Sequence, residues 1–124
     1  MTKDNYKEYT IEIGGRKKII KTKENYISTF IINDEVYLLL GSNHSIDRLN
    51  EYGISKSKLA GKILSLGDKL KKYNNSGKHL LMKDKENKST YIFTIERNHI
   101  VVITVMGHGT ARVSDKYASR TIVV

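Results

Sequence analysis

The residues best suited to chemistry fall in two short stretches. The first is Asn43-His44-Ser45-Ile46-Asp47-Arg48-Leu49, with Tyr52-Gly53-Ile54-Ser55 following. If a helix starts near residue 43, His44 and Arg48 are four apart and share one face. His44 then lies in the first turn, where unpaired backbone N–H groups favour an anion. A phosphate would meet an imidazole, a guanidinium and amide donors in one place. Imidazole is the usual proton carrier near neutral pH. Cleaving a ribose phosphodiester needs one group to take the 2′-hydroxyl proton and another to stabilise the charged phosphorane. The plainer account of the same residues is a polar helix start, with Arg48 paired to Glu51 or to a backbone carbonyl.

The second stretch is Gly107-His108-Gly109-Thr110-Ala111-Arg112, continuing to Lys116, Tyr117 and Arg120. It follows the most apolar run in the chain, and loops at the ends of rigid strands often carry functional groups. Glycines on both sides of His108 would let backbone approach a phosphate. Arg112, Lys116 and Arg120 are candidate phosphate contacts, and Tyr117 is placed to stack a base. His108 is the candidate second acid or base. The alternative is a charged, solvated tail. Upstream, Arg16, Lys17, Lys18, Lys21 and Lys23 make a basic cluster that suits a phosphate backbone without reading sequence. Lysines on an exposed strand also protect against edge-to-edge aggregation, which needs no ligand.

Composition narrows the partner. Lys plus Arg number 22 against 13 acidic residues, a formal charge of +9 in 124 residues. Self-repulsion of this size is tolerated most readily where it attracts a polyanion; an AT-rich gene, with lysines merely solvating the surface, is the bland alternative. The absence of cysteine excludes disulfides, thiolate nucleophiles and cysteine-based zinc sites. The four histidines, His44, His79, His99 and His108, are too dispersed to suggest a metal site, so neither metal nor cofactor is expected. No apolar run approaches the roughly 20 residues that cross a bilayer, and Met1-Thr2-Lys3-Asp4 opens no apolar secretory segment. The expectation is a cytoplasmic protein with no membrane partner.

These residues need elements to hold them. The length suits one domain over 1–124, with N-terminal hairpins over 1–40, a helical pair over 42–72, and an antiparallel meander and C-terminal segment over 78–124. Alternation over 6–13, the Gly14-Gly15 turn and a return over 17–22 predict an opening hairpin. Residues 26–32 and 35–40 predict a second, turning at Asn33-Asp34. Ser42 or Asn43 caps a first short helix that Gly53 stops. Ser55 caps a longer one, along which Leu59, Ile63, Leu66 and Leu70 line up a buried stripe with the lysines mostly off it. Strands are expected at 79–82, 90–96 and 99–106, with turns at 84–88 and 97–98, and a last one at 121–124. The run 100–105 should be central. Tyr6, Tyr9, Tyr26, Tyr37 and Tyr91 fall on strand alternation and suit the core or a sheet face better than a base-stacking platform.

A strand, then His-x-x-x-Arg-Leu, a Gly-Ile-Ser break, a second helix, a loop and a meander ending in Val-Ile-Thr-Val resembles the RelE-like family of small ribonucleases. Within it the likeness is to phage early-mRNA endoribonucleases and related His-x-x-x-Arg domains, and it covers about residues 36–106. The resemblance implies an α+β fold with two helices packed on an antiparallel sheet, here preceded by an extra N-terminal hairpin. It also implies metal-independent cleavage of single-stranded mRNA leaving a cyclic phosphate, a toxin-like activity that a protein partner or antitoxin would restrain. His44 matches the family's first essential histidine and Arg48 its neighbour. Where the phage enzymes carry a second functional histidine, this chain has Leu64. That role is vacant or filled from elsewhere, so an inactive RNA-binding relative stays open. A competing reading is a small basic protein of phage type, without an active site, that binds and inhibits a host protein or nucleic-acid complex. A DNA-binding regulator is weaker, since the two helices carry no convincing helix-turn-helix pattern.

Overall fold

The computed structural model describes residues 6–86, 88–107 and 121–123. Two β-hairpins open the chain. Strands β1 (Lys7–Ile13) and β2 (Arg16–Thr22) pair antiparallel across Gly14-Gly15, and β3 (Asn25–Ile32) pairs antiparallel with β4 (Glu35–Gly41). The second turn is tight because Asn33 and Asp34 both adopt left-handed backbone, at φ 52° and 65°, the conformation a two-residue hairpin loop demands. Three helices follow, α1 (Asn43–Glu51), α2 (Lys56–Leu64) and α3 (Asp68–Tyr73). Then come β5 (Leu80–Asp84), β6 (Ser89–Glu96), β7 (His99–Gly107) and β8 (Thr121–Val123).

The architecture is α+β, and it differs from the sequence expectation in two respects. The expected antiparallel sheet is mixed: its six strands run β3-β4-β7-β6-β5-β8, with β4 parallel to β7 and β8 parallel to β5. The cause lies between β4 and β5, where three helices rather than a tight turn carry the chain across, so that β7 later returns alongside β4 in the same direction. The expected pair of helices is also three. Gly67 takes φ 52° and breaks the second helix into α2 and α3, yet Leu59, Ile63, Leu66 and Leu70 all remain buried on one stripe. The expected turn at 84–88 begins one residue later, because Asp84 is the last residue of β5 and is buried.

Strand β4 is the structural pivot. Its residues alternate between two cores: Tyr37 and Leu39 point to the helices, while Leu38 and Leu40 point to the β1–β2 hairpin, where they meet Ile11. Burial on both faces is why it reads as a continuous apolar run rather than as alternation. Each fully buried aliphatic side chain here contributes about 1.5–3 kcal/mol. Strand β7 lies between β4 and β6 and buries Ile100, Val102 and Val105. Tyr37 and Tyr91 are core residues, Tyr9 and Tyr26 contact each other with ring centroids 5.6 Å apart, and Tyr6 is exposed. No described helix is long and apolar enough to cross a membrane.

Candidate functional site

The start of α1 is fixed to the sheet through one residue, Ser42. Its hydroxyl accepts from the Ser45 N–H at 3.0 Å, capping the helix. The same hydroxyl donates to the Ile103 carbonyl at 2.8 Å, and the Ser42 N–H donates to the Val102 carbonyl at 3.0 Å. Ile103 is available because the register jumps there: Thr104 pairs with Ile92 and Val102 with Phe93, leaving Ile103 as a bulge. The Ser42 carbonyl in turn accepts from the Ser45 hydroxyl at 2.8 Å. Gly41 makes this close approach possible, since a Cβ at that position would lie 2.9 Å from Ser45 Oγ.

Around this anchored helix start a polar network gathers three segments. Lys7 Nζ, on β1, donates to Asn25 Oδ1 at 2.7 Å and to Asn43 Oδ1 at 3.1 Å. Asn25 Nδ2, on β3, donates to Asn43 Oδ1 at 2.8 Å and to the Gly41 carbonyl at 3.2 Å. His44 is exposed beside Asn43, and α1 has no acidic residue in its first turn. The Lys7 ammonium group is thus held at the positive end of α1, in whose first turn His44 is exposed, an arrangement that suits a phosphate. Lys7 and Asn25 escaped the sequence analysis, because they reach Asn43 from 36 and 18 positions away. Only the topology brings them there.

Arg48 follows His44 by one helical turn, but its guanidinium lies 3.1 Å from Glu51 Oε2. Its charge is partly neutralised, the plainer of the two outcomes open in sequence. Arg16, Lys17 and Lys18 are exposed at the turn end of the first hairpin. That end is six strand steps from Lys7, about 20 Å. Lys18 instead shares a cavity of about 180 Å³ with Arg97 and His99, at the opposite end of β4 from α1. Along β2 and just past its end the charges are unevenly compensated. Lys21 approaches Glu8 at 4.0 Å, while Lys23 lies 5.3 Å from the centroid of the Tyr6 ring. His79 and His99 are exposed. His108, Arg112, Lys116, Tyr117 and Arg120 lie outside the described residues.

A second polar cluster went unforeseen. The Asp84 side chain, fully buried, accepts from the Tyr91 hydroxyl at 3.2 Å and lies 3.6 Å from Lys62 Nζ, which also reaches Glu86 at 3.3 Å. Burial, reinforced by the Asp84 charge and hydrogen bond, holds the Tyr91 phenol well above its ordinary range. Burial works against the Lys62 charge, but the Glu86 hydrogen bond and the Asp84 and Glu86 charges outweigh it and raise its pKa. Burial and the neighbouring Glu35 likewise raise Tyr37. Asp84 and Lys62 tie β5 to α2, so this cluster secures the helical layer over the sheet. In comparisons with known proteins, no family model matches the chain, and no curated protein or solved structure matches it significantly.

Proposed function

We propose that the protein binds single-stranded RNA along a surface running from the start of α1 over strand β2, and that it cleaves that RNA without a metal, in the manner of the RelE-like ribonucleases it resembles. The observation that carries this reading is the juxtaposition of Lys7, Asn43 and exposed His44 at the anchored N-terminus of α1. The basic strand β2 leads away from that point. The order of elements over residues 36–106, strand, helices, loop and meander, supports the resemblance. In this reading Lys7 and the α1 N-terminus hold a phosphate, His44 takes the 2′-hydroxyl proton, and His108 returns a proton to the leaving oxygen. Arg48 is engaged by Glu51 within the same helix, so its charge is less available to a phosphate.

The test is incubation of the protein with mixed-sequence mRNA in EDTA, beside His44→Ala and His108→Ala variants, with a mobility-shift titration across salt. Discrete cleavage that His44→Ala abolishes, with binding retained, is the expected result. Replacing Arg16, Lys17 and Lys18 together by Ala should flatten the slope of log affinity against log salt by about 2, from roughly 0.7 per phosphate contact on a single strand. Intact RNA with no mobility shift would refute the whole reading. Intact RNA with a salt-sensitive shift would remove the catalytic part alone.

A further inference from the structure

Between the edge strand β3 and helix α2 runs an open groove of about 380 Å³. Ile27, Phe30 and Ala60 form its floor, and Lys56, Gly61 and Leu64 are on its α2 side. Three observations make it more than a surface irregularity. First, β3 ends the sheet, and among the described residues no strand lies along its outer edge, so alternate N–H and C=O groups face outward unpaired. Second, apolar surface remains uncovered on its α2 side, where Leu64 is 46% exposed. Third, Gly61 stands in the interior of α2, where glycine is a poor helix former, and no packing demand explains it: a Cβ there would meet nothing within 4 Å. Glycine at that point leaves the helix backbone bare toward the groove.

We propose that this groove receives an extended segment of an acidic partner protein, which adds to β3 as a further strand and lies close against Gly61. A peptide in this position would satisfy the free edge of β3 through main-chain hydrogen bonds and place alternate apolar side chains over Phe30 and Ala60. The partner's charge follows from the molecule's own. Among the described residues, Lys56 in the first turn of α2 is the one charged residue lining the groove, and the chain carries a formal +9. A second copy would carry the same formal +9, whereas Asp or Glu beside the peptide's apolar residues would meet Lys56 and the positive end of α2. A nucleic acid finds little here, because the groove offers one cation and an aliphatic wall. The groove uses neither Lys7 nor His44, although it begins at Ile27, two residues along β3 from Asn25 of the Lys7 network.

The experiment is selection of random dodecapeptides displayed on phage against the full-length protein, followed by affinity measurement and amide hydrogen exchange with the enriched peptides in synthetic form. Enriched sequences should be acidic with interspersed apolar residues, and they should protect β3 amides from exchange. Gly61→Leu and Lys56→Glu should each weaken them about tenfold or more. Both variants should nevertheless raise the thermal midpoint, since leucine extends helix better than glycine and glutamate suits a first turn. Any of five results would overturn the proposal, four of them in the peptide experiments themselves. These are no enrichment, binding indifferent to both substitutions, a lowered midpoint in Gly61→Leu, and β3 protection that grows with protein concentration alone. Protection of β3 by mixed-sequence RNA in competition with the peptides would likewise overturn it and assign the groove to nucleic acid.

Discussion

Replacing Gly41 by alanine should cost this protein far more than a single methyl group suggests. The added Cβ would stand 2.9 Å from Ser45 Oγ, 3.1 Å from Ile27 Cδ1 and 3.2 Å from Ile46 Cδ1. The two isoleucine methyls end flexible side chains and can retreat by a few tenths of an ångström. Ser45 Oγ cannot, because the residue is fully buried and its hydroxyl is held to the Ser42 carbonyl at 2.8 Å. Either the clash remains, at about 1–3 kcal/mol for overpacking, or the hydroxyl swings away and loses a buried hydrogen bond, at about 1–3 kcal/mol. Either way the loss is about 1–3 kcal/mol, a fall of roughly 4–12 °C in thermal midpoint for a chain of this size. Urea unfolding with an unchanged slope is the assay, together with Ser45→Ala and the double variant. Removing Oγ removes the closest contact, so the double variant should lose about 1 kcal/mol less than the sum of the single losses. A Gly41→Ala loss under about 0.5 kcal/mol, or strict additivity, would refute the account of how α1 is anchored.

Two further outcomes follow from the polar cluster at β5. Asp84→Asn keeps the side-chain shape but removes the charge that Tyr91 and Lys62 address, and should lower stability by about 2 kcal/mol in urea unfolding. Glu86→Gln, on a carboxylate that is 75% exposed, should change it by less than about 0.5 kcal/mol; equal effects would contradict the assignment of the ion pair to Asp84. Tyr91 also sets an alkaline limit. Its pKa is raised in the folded state, so its contribution is complete below the unfolded phenol value of about 10 and fades as pH rises from there through the folded value. Stability measured from pH 9 upward should fall, and Tyr91→Phe should flatten that fall; an unchanged profile in the variant would disprove it.

Much of the fold was legible because it is written in neighbouring residues. Ser42 and Ser55 cap their helices by accepting from Ser45 and Lys58, and Asn33-Asp34 makes the tight turn its chemistry favours. The stripe from Leu59 to Leu70 held its burial even though Gly67 broke the helix beneath it. Strand direction was not legible, since a run buried on both faces, such as Val36 to Leu40, looks the same whichever way its neighbour runs. The site divides along the same line. Arg48 and Glu51 are three apart, and their pairing could be weighed from spacing alone. The meeting of Lys7, Asn25 and Asn43 depends on two hairpins and a helix converging, and nothing in any one segment announces it. Asp84 read as a turn residue because an acidic side chain ahead of Lys85-Glu86 usually is one; burial by α2 and Tyr91 makes it something else.

The parallel seam between β4 and β7 also dictates how the chain must assemble. Every other pairing from β1 to β7 joins consecutive strands across a short turn, whereas Leu38 meets His99 from 61 positions away. Closing so long a loop is entropically expensive until the helices between have ordered, so the hairpin β3–β4 and the meander β5–β6–β7 can form early and independently. Their union waits for α1, whose cap bonds to β7 span the same junction as the seam. During synthesis, a nascent chain that has emerged only as far as β6 holds the whole helical layer but lacks the strand that lies between β4 and β6. Its apolar β4 flank stays open until β7 arrives, and that interval is when a chaperone would be needed.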